Sequence, residues 1–275
     1  MTADGVGDRL DVEALRARVL AAGSAWGRFD VVAETGSTNG DLIARADAGE
    51  DIAGAVLIAE KQTAGRGRHG RTWIEAPGAQ IAMSVGIDAA DVPADQWGWL
   101  PLAAGVSVVE AVGDFTDVEV VLKWPNDVLA RGRKLAGILA EVAVPQRTIV
   151  VGIGLNVMAR PNEVEAPQAI SLAELGPGAP GRQELVTNLL TELGERVGVW
   201  RDTQGTYPRL ADEYRAMCAT LGVLVRADLP GDREVVGIAR DVDEQGRLCI
   251  DCGGETVVVS AGDIVHLRPA ARPPR

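Results

Sequence analysis

The chain has 275 residues, 47% of them hydrophobic, and a formal net charge of -12. This length can bury a large core in one or two domains, and the acidic balance argues against general nucleic-acid binding, which needs a broad basic face. No apolar run approaches the ~20 residues of a membrane span, and the polar, acidic start from Met1 to Asp11 is unlike a signal peptide. With only three cysteines, a disulfide framework is not expected, and the predicted location is a reducing cytoplasm.

The first third of the chain predicts alternating helices and strands. Asp11 to Ala22 has helical spacing, an acidic N-cap and a glycine stop, and Phe29 to Ala33 is typical of a strand. Ser37 or Thr38 can cap a helix that runs to about Ala48. Further strands are predicted at Gly54–Ala59 and Ile81–Ile87.

Strands are predicted to dominate the middle of the chain after one long apolar helix. That helix covers Gln96–Val112 and should pack Trp97 and Trp99 in the core. Arg131–Lys134 has the composition of a hairpin turn, and the region 157–180 is rich in proline and predicted to be mostly loop. The remaining strands are Val118–Leu122, Val128–Ala130, Leu135–Val142 and Thr148–Gly152, and the remaining helices are Arg182–Trp200 and Tyr207–Thr220.

The composition changes after Leu221, where short strands follow one another between turns. Five strands at this spacing predict a small barrel, appended as a second domain. We therefore expect domains at 1–218 and 219–268 and a disordered tail at 269–275. Cys249 and Cys252 have C-x-x-C spacing, but no second pair completes a zinc site, and we interpret them as ordinary strand residues. The five strands are Val223–Ala227, Val235–Arg240, Arg247–Asp251, Thr256–Ser260 and Ile264–Leu267.

One stretch, Gln62–Trp73, concentrates glycine and positive charge within an acidic chain. Lys61 through Arg71 carries four formal positive charges and no acid. Gly65 to Gly70 matches the pattern G-x-G-x-x-G, which in a dinucleotide fold requires a helix to open at the third glycine. Only ten residues follow before the next predicted strand, so no crossover helix fits and that interpretation fails. A mobile anion-binding loop and a solvated basic loop both remain.

Three further motifs place lysine, asparagine and glycine at strand ends. Lys123–Asp127 is a rigid turn, Lys134–Leu139 starts a buried strand with a lysine, and Gly152–Val157 has glycines where a ligand or another backbone comes close. Each alone is weak, since a plain strand-to-turn junction would look the same. Lysine is rare here, with three residues against 24 arginines, which favours a specific use of its compact ammonium. Together the motifs predict one nucleotide pocket.

The order of these motifs resembles the biotin protein ligases. The resemblance covers about residues 30 to 160 in register, and the predicted C-terminal barrel matches the last domain of that family. It implies an α+β fold: a mixed β-sheet with helices on one face, similar to class II tRNA synthetases, plus a small all-β SH3-like barrel. The motifs that carry it are Gly36–Asn39, Gln62–Trp73, Lys123–Asp127, Lys134–Glu141 and Gly152–Asn156.

The resemblance implies a two-step reaction, with biotin and ATP as substrates and Mg²⁺ accompanying ATP. The carboxylate of biotin attacks the α-phosphate of ATP to give biotinyl-5'-AMP and pyrophosphate. A lysine of a biotin carboxyl carrier domain then displaces AMP. The implied partner is the carrier domain of acetyl-CoA carboxylase or of another biotin-dependent carboxylase, with no role for DNA or a membrane.

The resemblance also implies which residues form the site, and no protein metal site is among them. Lys134 and Arg68 are the candidate catalytic cations. Closure of the glycine-containing loop is expected to keep water from the mixed anhydride. The expected biotin site comprises Ser37, Thr38, Asn39, Gln62, Gly65, Arg66, Gly67, Arg68 and Lys134, and the expected nucleotide site comprises Arg68, Arg71, Trp73, Asn126, Asp127 and Asn156.

Some members of this family carry a helix-turn-helix domain of about sixty residues that represses transcription. Here about thirty residues precede the first strand, enough for a single helix, so we expect the ligase-only group, as a monomer or weak homodimer. A lipoate or other acyl-adenylate ligase on the same fold, and a biotin or nucleotide sensor without catalysis, are the alternatives. The base for the acceptor lysine is not identified; Asp127 is unsupported in that role, and His69 has no assigned role.

Overall fold

The computed structural model describes residues 9–73, 78–144, 147–158, 168–176, 180–229, 233–260 and 263–267. Their largest element is a mixed sheet with the strands β1 Arg28–Val32, β2 Ala55–Ala59, β3 Gln80–Asp88, β4 Val120–Lys123, β5 Asp127–Ala130, β6 Arg133–Ala143 and β7 Thr148–Asn156. The spatial order is β1-β2-β3-β7-β6-β5-β4. β1 and β2 are parallel and the other neighbours are antiparallel. The predicted α+β fold with a mixed sheet is confirmed.

Within the described ranges, five α-helices accompany the strands: α1 Val12–Val19, α2 Thr38–Asp47, α3 Trp99–Gly113, α4 Arg182–Asp202 and α5 Pro208–Met217. Asp11 caps α1, and Ser37 rather than Thr38 caps α2, because the Ser37 side chain accepts the N–H of Gly40. Trp99 is buried as predicted, whereas Trp97 precedes α3 and is only partly buried. None of the helices in the described part of the chain is long and apolar enough to cross a membrane.

Helices cover both faces of the large sheet. Every residue of β2 is buried. Its Val56 and Ile58 belong to a core shared with α1, α3, α4 and α5, whereas Leu57 packs with Leu42 of α2 on the other face. The expectation of helices on one face is therefore wrong for α2. The physical reason is that a strand apolar at every position needs a cover on each side.

A two-residue hairpin turn joins β5 and β6. Arg131 and Gly132 have φ values of 50° and 69°, the left-handed pair that matches the twist of antiparallel strands. The predicted turn Arg131–Lys134 is thus too long, because Arg133 and Lys134 already belong to β6. Lys134 therefore lies on a strand of the sheet, which fixes its backbone.

The C-terminal strands form a second sheet, which confirms the predicted small all-β unit. They are β8 Leu224–Leu229, β9 Arg233–Val242, β10 Leu248–Asp251, β11 Thr256–Val259 and β12 Asp263–His266, antiparallel in the order β11-β10-β9-β8-β12. Cys249 lies in β10, but Cys252 lies beyond its end. The domain boundary near 218 stays a prediction, and the tail 269–275 and the loop 159–167 lie outside the described residues.

Candidate functional site

A cavity of about 280 Å³ lies among α2, the loop 62–73, β6 and β7. Its described wall carries five cationic side chains (Arg66, Arg68, Arg71, Lys123 and Lys134) and one carboxylate, Asp127. In a chain of net charge -12, this concentration attracts an anionic ligand. Twelve of the fourteen predicted site residues reach the wall: Ser37, Thr38, Asn39, Gln62, Arg66, Gly67, Arg68, Arg71, Trp73, Asn126, Asp127 and Lys134.

Glycines of β6 and β7 make room on the sheet beside the cavity. A Cβ on Gly154 would lie 2.5 Å from Trp73 Cε2, and a Cβ on Gly152 would lie 2.2 Å from Asn39 Oδ1. On Gly137 it would lie 3.2 Å from Trp73 Cζ3. The prediction that these glycines permit close approach is confirmed, although what approaches them in this structure is the two side chains.

One end of the cavity is a polar recess lined by Ser37, Thr38, Asn39 and Gln62, with the buried Ser84 in contact with Thr38 and Asn39. Gln62 Oε1 accepts the N–H and the hydroxyl of Thr38 at 2.9 and 3.2 Å. Ser84 Oγ lies 2.6 Å from both Thr38 Oγ1 and Asn39 Oδ1 and is fully buried. Sequence reasoning missed Ser84, although a lone hydroxyl within the apolar run of β3 was a usable signal. The recess presents amide and hydroxyl groups that suit a small polar ligand.

Arg66 fastens the loop to the sheet through Glu141. Arg66 Nη2 lies 2.5 Å from Glu141 Oε1, and Asn39 Nδ2 donates to Glu141 Oε2 at 2.9 Å. The same Nδ2 also donates to the carbonyl of Leu139 at 3.2 Å. One carboxylate thus connects the loop, β6 and α2. Sequence analysis quoted Glu141 within a motif but gave it no role.

Lys134 faces Asp127 and the ring of Trp73. Its Nζ lies 2.6 Å from Asp127 Oδ1 and 5.7 Å from the centroid of the Trp73 ring. Asp127 Oδ1 has no hydrogen-bond partner of good geometry, so the contact is chiefly Coulombic. The Lys134 side chain is 36% exposed and lines the cavity. A second anion can therefore reach it from the cavity.

Arg68 contacts Asn126, which lies in the Lys123–Asp127 turn. Arg68 Nη1 donates to Asn126 Oδ1 at 3.2 Å, and Asn126 Nδ2 donates to the Ile138 carbonyl at 2.9 Å. Within the loop, the N–H of Gly67 donates to the Arg71 carbonyl at 2.7 Å. These bonds fold the loop back toward the cavity, so that Arg68 and Lys134 share one chamber.

Two predicted residues do not reach the wall. Asn156 is 2% exposed; its Nδ2 donates to the carbonyls of Lys134 and Ile170, and its Oδ1 accepts from Gln80. These contacts use the donor and acceptor atoms of the amide. Asn156 therefore binds the backbone of Lys134 and does not face the cavity. Gly65 is also outside the wall, because its backbone lies against Trp73, where a Cβ would be 2.6 Å from the carbonyl oxygen.

The small sheet supplies a wall that sequence reasoning missed. Ile264 and Val265 of β12 line the cavity together with Lys123. Burial, and then the charge of Lys123, lower the pKa of the neighbouring His266 from its ordinary 6.5. No local pattern in the sequence could have located this contact, because it depends on how the two sheets pack.

Two protein families match this chain, and they cover most of its two sheets. The Biotin/lipoate A/B protein ligase family matches residues 45–157, and the Biotin protein ligase C terminal domain matches residues 220–267. The first match includes the loop, Lys134 and Asn126. The second covers the strands β8 to β12.

Individual relatives resemble the chain over nearly its whole length. It is 58% identical to the biotin–(acetyl-CoA-carboxylase) ligase of Mycobacterium tuberculosis, over 94% of this chain and 96% of that protein. It is 33% identical to the bifunctional ligase/repressor BirA of Escherichia coli, over 95% of this chain and 80% of that protein. The structure of a biotin protein ligase from Aquifex aeolicus in complex with biotin and ATP matches with a TM-score of 0.75 and 26% identity, over 89% of this chain and 100% of that one.

Proposed function

This chain belongs to the biotin protein ligase family, and on that premise we propose how its cavity joins biotin to ATP and then to a protein lysine. The activity is that of an ATP-dependent biotin protein ligase. The observation that carries the proposed site is that Lys134 and Arg68 line one chamber with the polar recess and Trp73. Two cations between a polar recess and an aromatic ring suit a carboxylate and a nucleotide held end to end.

In the first step, a carboxylate oxygen of biotin attacks the α-phosphorus of ATP. A new P–O bond forms, the bond to the bridging oxygen breaks, and pyrophosphate leaves with that electron pair. Two anions approaching to 4 Å repel by about 1 kcal/mol in water and about 4 kcal/mol at an effective dielectric of 20. Lys134 and Arg68 offset this repulsion and the charge that develops on the phosphate.

Biotin is assigned to the polar recess. The hydroxyls of Ser37 and Thr38 and the amides of Asn39 and Gln62 are suited to bind its ureido group, whose carbonyl accepts and whose N–H groups donate. In this structure Gln62 bonds to Thr38, and both Thr38 and Asn39 bond to Ser84, whereas the Ser37 hydroxyl accepts from the N–H of Gly40. Biotin must therefore replace some of these bonds with its own, which makes the recess selective for a ligand with matching donors and acceptors.

ATP is assigned to the other end, between Trp73 and the Lys123–Asp127 turn. The Trp73 ring offers a face for the adenine, and Arg68, Arg71 and Asn126 offer donors to the phosphates. Asp127 holds Lys134 in the absence of substrate. Asn156 acts indirectly, by fixing the strand that carries Lys134. Mg²⁺ enters with ATP as part of the substrate.

The second step transfers biotin to protein. The amine of an acceptor lysine attacks the carbonyl of biotinyl-5'-AMP, the C–O bond to AMP breaks, and AMP leaves as an amide forms. The loop 62–73, closed by Arg66 on Glu141, keeps water from the anhydride until then. The acceptor is proposed to be the biotin carboxyl carrier domain of acetyl-CoA carboxylase or a related carboxylase. The ligase is proposed to be cytoplasmic, to be a monomer or weak homodimer, and not to bind DNA.

The first step can be tested without a protein acceptor. Purified protein, with ATP and Mg²⁺, should exchange labelled pyrophosphate into ATP only when biotin is present. Replacing biotin with lipoate should give no exchange. Exchange with lipoate and not with biotin would contradict the proposed use of biotin and would indicate an acyl-adenylate ligase that uses lipoate.

A further inference from the structure

Trp124, in the Lys123–Asp127 turn, is hydrogen-bonded to Thr220 in the segment that leads into the small sheet and to Gly246. The N–H of Trp124 donates to Thr220 Oγ1 at 3.0 Å. Its indole Nε1 donates to the carbonyl of Gly246 at 3.0 Å. Thr220 is 0% exposed and Trp124 is 2% exposed. A single buried hydroxyl therefore accepts the hydrogen bond of the backbone N–H of this turn.

Thr220 in turn contacts a histidine of the last strand. Its Oγ1 lies 3.0 Å from His266 Nε2. A threonine hydroxyl has one proton and accepts through its lone pairs. Because the oxygen accepts from Trp124, its proton is available for Nε2 in the neutral tautomer that carries its proton on Nδ1. His266 ends β12, the strand whose Ile264 and Val265 form a wall of the cavity.

We infer that Thr220 and His266 are positioning residues that hold the Lys123–Asp127 turn in the geometry that binds ATP. The inference rests on the proposed function. Neither residue lines the cavity, and both act through Trp124. The turn carries Asn126, which contacts Arg68 at 3.2 Å, and Asp127, which contacts Lys134 at 2.6 Å. A displaced turn would therefore misplace the partners of both candidate catalytic cations.

The arrangement needs the neutral imidazole. A proton on Nε2 would face Thr220 Oγ1, and the hydroxyl proton would then lose its acceptor. Lys123, at the end of β4, is the charged group that faces His266. Val225 of β8 lies opposite it and is uncharged. Burial and the positive charge of Lys123 both favour the neutral ring, so the contact is complete near neutral pH and is weakened by acid.

The first test compares Thr220→Val, Thr220→Ser and wild type in biotin-dependent pyrophosphate exchange. Valine has the same shape and leaves the Trp124 N–H without an acceptor, so the ATP KM should rise about tenfold. Biotin affinity, measured separately by calorimetry, should stay within about twofold because the recess lies elsewhere. Serine restores the hydroxyl and should restore the ATP KM.

Ser107→Ala serves as the control, since Ser107 is also 0% exposed but its hydroxyl donates to the Ala103 carbonyl within α3. It should leave the ATP KM unchanged. A wild-type ATP KM in Thr220→Val, or an equal loss of ATP and biotin affinity, would overturn the inference. Absence of exchange in the wild-type protein would instead refute the proposed function.

A second test uses the half-buried His266, where substitution puts the fold at less risk. The ATP KM of wild type should rise as the pH is lowered below 6.5, because the pKa of His266 is lowered from that ordinary value. His266→Gln retains a neutral acceptor and should flatten that rise. The same acid-dependent rise in both proteins, or none in wild type, would show that His266 does not position the turn.

Discussion

The indole of Trp73 lies against the backbone of Gly154, so closely that a methyl group on that residue would be 2.5 Å from Cε2. Gly137 receives the edge of the same ring, at 3.2 Å from its hypothetical Cβ. Lys134 lies over the ring at 5.7 Å from its centroid. Trp73, the two glycines and Lys134 therefore pack against one another. A substitution at any one of them should displace the others.

Gly154→Ala should displace Trp73 and weaken ATP binding. A Cβ at that distance cannot be accommodated unless the ring moves, and the ring's new position would no longer support the adenine. We expect an increase of about tenfold or more in the ATP KM, since base–aromatic stacking contributes about 1–3 kcal/mol. Gly113→Ala is the control, because a Cβ there meets nothing within 4 Å. Equal ATP KM values in the two variants would contradict the assignment of Trp73.

Lys134→Arg should abolish formation of the adenylate while the fold persists. The ammonium fits between Asp127 and the Trp73 ring, and the larger planar guanidinium cannot take the same position between a carboxylate and a phosphate. A loss of about 100-fold or more in the rate of pyrophosphate release is expected, with the melting temperature unchanged. Lys61→Arg, at a surface pair with Glu34, should behave as wild type. Near-normal pyrophosphate release in Lys134→Arg would refute the role.

Glu141→Gln should loosen the loop. Arg66 would lose its charged partner at 2.5 Å, although Asn39 could still find an amide oxygen. Because the pair is partly exposed, we expect a modest effect, a rise of about threefold to tenfold in the dissociation constant of biotin. Proteolysis within 62–73 should also be faster, even with ligands bound. Glu34→Gln removes the partner of Lys61 at the surface and should change neither the dissociation constant of biotin nor the rate of proteolysis. A similar change in both variants would argue against a specific role of the Arg66–Glu141 contact.

Asp243 should make part of the stability depend on pH. Burial acts to raise its pKa, but hydrogen bonds from the Arg247 side chain and from backbone N–H groups outweigh burial, so the pKa is lowered from 3.8. A lowered folded-state pKa means that this stabilisation is present above the unfolded value and is lost as the pH falls through the folded one. Asp243 fixes the turn whose carbonyls accept from Trp99 and Trp124.

Asp243→Asn should therefore lower the free energy of unfolding by about 1–2 kcal/mol at pH 7. The difference from wild type should shrink as the pH is lowered below the range in which aspartate ionises, because the wild-type carboxyl is then protonated too. Urea midpoints measured across this range provide the test. Asp212→Asn, at a side chain that is 80% exposed, should show no such difference, and a gap that persists at low pH would contradict the account.

Sequence reasoning succeeded where the signal was local. A helix cap at Ser37 or Thr38, the strand around Leu57 and the short strands after Leu221 all follow from neighbouring residues. The motifs around the cavity were recognised from their order along the chain, since each alone could equally be a plain strand-to-turn junction. Asn156 lies outside the cavity wall, which its sequence could not show, since an asparagine that faces a ligand and one that bonds backbone carbonyls look alike in sequence. Ser84 was missed although it is a lone hydroxyl in an apolar run, and the wall from β12 was missed because it depends on how the two sheets pack.

The most direct test of the account is the transfer reaction itself. The purified protein is incubated with a biotin carboxyl carrier domain, ATP, Mg²⁺ and biotin, and the mass of the carrier domain is measured by mass spectrometry. We expect the carrier to gain the mass of one biotinyl group, and we expect no gain when its acceptor lysine is replaced or when Lys134→Arg is used. A carrier that gains no mass with biotin, or gains mass only when lipoate is supplied, would contradict it.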